Sequence, residues 1–208
     1  MAVIRTIPEL LDTVRAVADG RDRTLVGIAG APGAGKSTIA DGLVDELGDG
    51  AALLPMDGFH LPQRRLIELG RRDRMGAPDT FDVDGFVATL QAVRDARGEV
   101  RAPGFDRRIE EPVADALVYP ASTRIVVVEG NYLLHDEGGW ERVAPLLDVT
   151  FFVSLAHDIR LARLIERHVR FGKTEEAARA WSLGPDETNA RLIEGTRERA
   201  DHVVDLTE

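Results

Sequence analysis

Gly30-Ala31-Pro32-Gly33-Ala34-Gly35-Lys36-Ser37-Thr38 follows directly on the apolar run Leu25-Val26-Gly27-Ile28-Ala29 and leads into an amphipathic stretch. The order is strand, loop, helix, and the loop satisfies G-x-x-x-x-G-K-[ST] in full. Gly30, Gly33 and Gly35 let the backbone turn its N–H groups inward around a polyphosphate, in a stretch that also holds Ala34 and Thr38. Lys36 brings a point charge to the β and γ phosphates, and Ser37 can place its hydroxyl on Mg²⁺. The chain is therefore expected to bind a nucleoside triphosphate.

Working outward, Ile39, Leu43, Val44 and Leu47 recur at helical spacing, and Gly48 ends that helix. Ahead of the loop, residues from Ile7 onward predict a helix with Pro8 in its first turn, Leu11, Val14, Val17 and Ala18 on one side and Gly20 as its stop. Ala51 to Met56 is a short apolar strand that delivers Asp57 at its C-terminal end. Asp82 or Asp84 caps a helix carrying Phe86, Val87, Leu90 and Val93, closed by Gly98. Pro103, Pro112 and Pro120 among short extended runs make 99–123 a hairpin or excursion. Arg124-Ile125-Val126-Val127-Val128 is the clearest buried strand, ending in Glu129-Gly130, and Val149-Thr150-Phe151-Phe152-Val153 is another. An arginine-rich helix is expected over about 158–171, a further helix over about 186–199, and a last edge strand at Val203-Val204. Apolar strands alternating with amphipathic helices predict an α/β sandwich with a mainly parallel sheet. Ligands of such sheets sit beyond the carboxyl ends of the strands, where Gly30, Asp57 and Glu129 would meet.

At 208 residues the chain fits one domain, 44% apolar and 30% charged, with no apolar stretch near the ~20 residues of a membrane span. Lys and Arg total 26 against 36 Asp and Glu, a formal charge of −10, which argues against nucleic-acid and anionic-membrane partners. Cysteine is absent, removing disulfides and thiolate chemistry, and the N-terminus shows no secretory pattern, so a cytoplasmic location is expected. Composition leaves the oligomeric state open, a homodimer included. An anionic ligand must meet a local positive site, and two concentrations exist. Arg64, Arg65, Arg71, Arg72 and Arg74 form one, read as a solvated loop. Arg160, Arg163, Arg167 and Arg170 form the other, spaced to align on one helix face, with Glu166 able to pair with Arg163 or Arg170. The functional reading of the second is a lid, about 160–182, whose Arg167 and Arg170 stabilise charge on a transferring group; the alternative is a solvated face.

Asp57 is the candidate base for the proton of an attacking hydroxyl, against a plain turn aspartate before Gly58. Glu129 stands where a carboxylate would meet Mg²⁺ beside Ser37. Either carboxylate could take the other's part. His60 could orient a substrate, and no histidine has a partner at zinc-ligand spacing.

With the phosphate loop, Met56-Asp57-Gly58-Phe59-His60, Gly76-Ala77-Pro78-Asp79-Thr80-Phe81-Asp82, Pro103-Gly104-Phe105-Asp106 and Glu129-Gly130-Asn131-Tyr132, most of the chain resembles the uridine kinase, phosphoribulokinase and pantothenate kinase group. Within it the chain is most similar to bacterial nucleoside/nucleotide kinase-like and fructose-transport-system kinase-like proteins. The resemblance implies a P-loop kinase fold, a three-layer sandwich on a five-stranded parallel sheet with a helical lid, and Mg-ATP as donor to a small hydroxylated acceptor. It assigns the base to Asp57, the metal side to Glu129, and lid arginines to Arg163, Arg167 and Arg170. His60, Arg74, Asp82, Phe105, Arg107, Asn131 and Tyr132 fall on the acceptor side. Where uridine kinases carry histidine, tyrosine and histidine, this chain has Ala77, Phe105 and Glu110, and its lid reads Arg167-His168 in place of an Arg-Asp pair. The expectation is an ATP-dependent kinase for a sugar-like, vitamin-like or nucleoside hydroxyl. The rival is a slowly hydrolysing nucleotide-binding regulator, weakened by the absence of a guanine-reading Asn-Lys-x-Asp motif.

Overall fold

A computed structural model describes residues 2–95 and 97–206. Its centre is a parallel sheet built on the two apolar runs that flank the phosphate loop's chemistry. Strands β1 (Ala2–Ile4), β2 (Thr24–Gly30), β3 (Ala51–Pro55), β6 (Ile125–Gly130), β7 (Val149–Val153) and β8 (His202–Val204) run in the order β1-β8-β7-β2-β6-β3. Every pairing in it is parallel. The sheet thus has six strands, one more than expected. Val203 and Val204 do form a strand, but it lies inside the sheet, because Ala2–Ile4 pairs on its outer side. Three residues carry no periodicity of their own, so β1 exists only through that pairing.

Alternation along the buried strands separates two cores. Val26, Ile28, Val127 and Phe151 face one side, where Leu10, Leu11 and Val14 of α1 (Ile7–Ala18) and Ile39, Ala40 and Leu43 of α2 (Lys36–Leu47) cover them. Leu25, Val126, Val128 and Phe152 face the other, packed with Phe86, Leu90 and Val93 of α4 (Val83–Asp95) and with Trp140. Both faces of a parallel sheet must be buried, which is why its strands read as unbroken apolar runs. Thr6 caps α1 in a capping box with Glu9, and Pro8 sits in its first turn.

The proline-rich stretch is an antiparallel hairpin of β4 (Val100–Asp106) and β5 (Glu111–Tyr119), its register shifting between Ala102 and Gly104 around Pro103. Two contacts fix it over the end of the sheet. Tyr119 donates its hydroxyl to Leu53 O at 2.8 Å. Gly58, in the 3₁₀ turn Met56–Phe59, lies so close to β4 that a Cβ there would stand 2.1 Å from Pro103 O. The glycine after Asp57 therefore serves backbone approach, since its φ is not positive.

Beyond β7 the chain forms α5 (His157–Arg170), α6 (Glu175–Leu183) and α7 (Pro185–Glu194). The helix expected over 186–199 ends earlier, at Gly195, and a 3₁₀ turn Arg197–Arg199 follows. Helix α6 was not anticipated, although Thr174 caps it by accepting from Ala177 N–H and Glu175 and Glu176 fill its first turn. A short helix α3 (Gln63–Glu68) carries Arg64 and Arg65, both solvent-facing and paired with Glu68. Among the described residues no helix is long and apolar enough to cross a membrane.

Candidate active site

Registry places the chemistry. Glu129 is paired with Ile28 on one side and Pro55 on the other, so Gly30, Glu129 and the Met56–Phe59 turn emerge together at the carboxyl end of the sheet. In the phosphate loop Gly30, Gly33 and Gly35 have φ of 150°, 82° and 97°. The N–H groups of Lys36, Ser37 and Thr38 precede the first intrahelical bond, Ile39 N–H to Gly35 O at 3.1 Å, and no side chain caps the helix. That is an N-terminus built to hold an anion. Gly33 also has a packing reason: a Cβ there would stand 2.9 Å from Arg160 O of α5.

Two clefts meet at this loop. The first, about 890 Å³ with its open mouth, is lined by Asp57, His60, Phe105, Arg107, Glu129 and Asn131 among others. The second holds Gly33, Ala34, Gly35, Thr38, Arg163 and Arg170. Lys36, Ser37 and Arg167 line both, and so mark the passage between them.

At that passage Lys36 Nζ donates to Ala31 O at 3.2 Å and lies 3.7 Å from Glu129 Oε1, while Ser37 Oγ donates to Glu129 Oε2 at 3.4 Å. Burial lowers the Lys36 pKa against the opposing pull of Glu129. Burial likewise raises that of Glu129, which Lys36 only partly offsets and Asp57 adds to. Asp57 accepts from Arg107 Nη2 at 2.5 Å. Burial pushes the Asp57 carboxyl up, but the cationic groups around it, His60 when charged and then Arg107, Lys36 and Arg167, outweigh burial and hold it below the usual range. His60 is itself pushed down by burial. Its Nδ1 lies 2.8 Å from Asp57 O, so the neutral ring carries its proton there, and the ring sits between Phe81 and Phe105 at 4.1 and 4.7 Å.

Three expected acceptor residues stand elsewhere. Arg74 pairs with Asp79 at 2.9 Å, and it is Arg72 that reaches the first cleft, bound to Glu110 at 2.7 Å. Asp82 accepts from Gly85 N–H at 3.0 Å and caps α4, as the sequence also allowed. Tyr132 is buried, its hydroxyl donating to Gly76 O at 2.6 Å, so it braces the loop that borders the cleft. Within α5 the arginines divide. Arg160 is buried and donates to Pro32 O and to Glu187 of α7, which removes it from the exposed set. Arg170 is exposed and pairs with Glu166 at 2.7 Å. The cleft also gathers His168, Lys173, Trp181, Asp186 and Asn189 from α5 through α7. None was anticipated; the only signal was His168 in place of an acidic residue after Arg167.

Residues 25–206 match the sequence model of the Phosphoribulokinase / Uridine kinase family. Over 191 residues the chain is 35% identical to the Escherichia coli (strain K12) protein YggC, covering 89% of this chain and 79% of that one. It is 30% identical over 203 residues to a candidate uridine kinase of Schizosaccharomyces pombe, covering 92% and 86%. The crystal structure of a candidate fructose transport system kinase from Silicibacter sp. TM1040 superposes with a TM-score of 0.89 at 37% identity, covering 96% of this chain and 99% of that one. With its phosphate loop, its parallel sheet and these similarities, the chain belongs to the phosphoribulokinase / uridine kinase family of P-loop kinases.

Proposed function

We propose that the chain is an ATP-dependent kinase that phosphorylates a hydroxyl of a small polyhydroxylated metabolite. The observation that carries this reading is the passage formed by Lys36, Ser37 and Arg167 between a cleft on the phosphate-loop side and a cleft containing Asp57. A donor held in the second cleft would present its terminal phosphate at that passage, and an acceptor in the first would stand beside Asp57.

Each residue then has a physical task. The N–H groups of Gly33 and of residues 35 to 38 bind the phosphates, while that of Ala34 is held by Ala31 O at 3.1 Å, and Lys36 and Arg167 supply positive charge where the transferring group becomes most negative. Asp57, kept ionised by its neighbours, accepts the proton of the attacking hydroxyl once the acceptor draws Arg107 off it. Ser37 and Glu129 offer adjacent hard oxygen donors, and the raised pKa of Glu129 marks a buried carboxylate short of positive charge. They fit Mg²⁺, which would supply charge neutralisation on the phosphate oxygens. The segment from Arg163 to Trp181 would act as a lid, hinged beyond the buried Arg160 anchor. The whole chain is read as a single domain acting on a small molecule, with neither nucleic acid nor membrane as partner, in the cytoplasm.

Several features favour a small polyol over a nucleoside. Phe105 offers no hydroxyl, Ala77 no imidazole, and Glu110, tied by one oxygen to Arg72, presents a carboxylate where uridine kinases carry a histidine, so the contacts those enzymes make there are not reproduced. Steady-state kcat/KM for uridine, cytidine, fructose and pantothenate measured side by side tests this. Fructose is expected to exceed the nucleosides by at least about 10²-fold; a value for uridine far above the other three would restore a nucleoside acceptor.

A further inference from the structure

Asn189 of α7 is 6% exposed, lines the first cleft, and its amide has no hydrogen-bond partner among the described residues. Its Nδ2 lies 3.9 Å from where a Cβ on Gly76 would stand, so the amide is held against the loop that borders the cleft. The amide reaches the cleft instead of being sealed in the core, so a ligand seated there can pair with it. One turn earlier on the same face stands Asp186, also buried, whose Oδ2 accepts from His168 Nε2 at 2.7 Å. The imidazole fixes the carboxylate and leaves Oδ1 as an acceptor.

We propose that Asp186, Asn189 and His168 form a subsite reading adjacent hydroxyls of the acceptor, so that the substrate is a neutral sugar or sugar-like polyol carrying a vicinal diol. The inference rests on the kinase reading above and narrows it. A carboxylate accepts a hydroxyl proton, and an amide can both donate to and accept from the neighbouring hydroxyl, so the pair suits two hydroxyls in a row. An anionic acceptor would instead meet the Asp186 carboxylate. Trp181 and Phe105, which line the same cleft, offer apolar faces to the carbon skeleton. The subsite lies on α7 with its partner on α5, while Asp57, which lines the same cleft, comes from the turn after β3. It would therefore hold the acceptor through elements other than the one that carries the base.

The test is ADP release from Mg-ATP by the full chain with D-fructose, D-ribose or ribitol, against 1,5-pentanediol and pantothenate, which lack a vicinal diol. At least one of the three polyols should accelerate release, and the two controls should not. For that polyol Asn189→Leu should lower kcat/KM by about 30-fold or more, chiefly through KM. Asn189→Asp, of nearly the same shape, and His168→Gln should act in the same direction. Far-UV circular dichroism and a melting temperature like the wild type's mark each variant as folded. No acceleration by any of the polyols, acceleration only by the controls, or unchanged kcat/KM in folded Asn189→Leu and Asn189→Asp would overturn the subsite. Failure of the wild type to bind the non-hydrolysable analogue AMPPNP with Mg²⁺ would instead overturn the kinase reading, and the subsite with it.

Discussion

Asp57 must be ionised to accept a proton, yet a carboxylate stabilised too well is a poor base. The Arg107 contact at 2.5 Å supplies the first requirement, and its displacement by the acceptor would restore the second. Asp57→Asn is accordingly expected to lower kcat by about 10²- to 10⁴-fold while nucleotide binding persists, measured by single-turnover kinetics beside calorimetric AMPPNP binding. The sign of the pH effect follows from the same pair. Asp57 has a depressed pKa, so activity that needs its ionised form is present above that pKa and lost as pH falls through it. Arg107→Ala removes one of the groups that depress it, so the acid limb of the kcat/KM profile should move to higher pH. An unmoved limb would mean that Arg107 does not set the ionisation of Asp57. Both residues could be named from sequence, but their contact could not, because they lie 50 residues apart on elements brought together by tertiary packing such as the Gly58 and Pro103 approach.

Helix α5 shows how one aligned row of arginines divides by depth. The spacing of Arg160, Arg163, Arg167 and Arg170 was legible as a single face, and the structure grades that face from buried to solvated. Arg160 joins the phosphate loop to α7 through Pro32 O and Glu187, a pair with 4% and 14% of the side chains exposed. Breaking it leaves a largely buried carboxylate with only longer contacts to Arg191 and His157 among the described residues, so Arg160→Met should cost about 3–5 kcal/mol and lower the melting temperature. Arg167 has no ion pair among the described residues and faces the passage, so Arg167→Ala should cut kcat with little effect on melting. Arg170→Ala should do less, since its pair with Glu166 is 70% exposed on both sides. Equal thermal losses for Arg160→Met and Arg167→Ala, with equal kinetics, would contradict this division.

Across the whole molecule, what could be read from the sequence is what is local. The phosphate loop, the buried strands ending at Gly30 and Glu129, and the hairpin announce themselves because each burial pattern lies within a few consecutive residues. The sixth strand and the wall formed by His168, Asp186 and Asn189 do not, because each exists only through a partner distant in the chain. Arg74 and Arg72 show the same limit at one turn's resolution, where local ion pairs with Asp79 and Glu110 decide which of two near neighbours faces the cleft. The central claim is that the two clefts exchange a phosphoryl group through the passage between them. Incubating the chain with γ-¹⁸O-labelled Mg-ATP and a polyol, then weighing the products by mass spectrometry, tests it directly. The account predicts ADP and a labelled phosphomonoester in equal amounts, both lost in Lys36→Ala; ADP accompanied only by inorganic phosphate, at one rate with or without polyol, would contradict it.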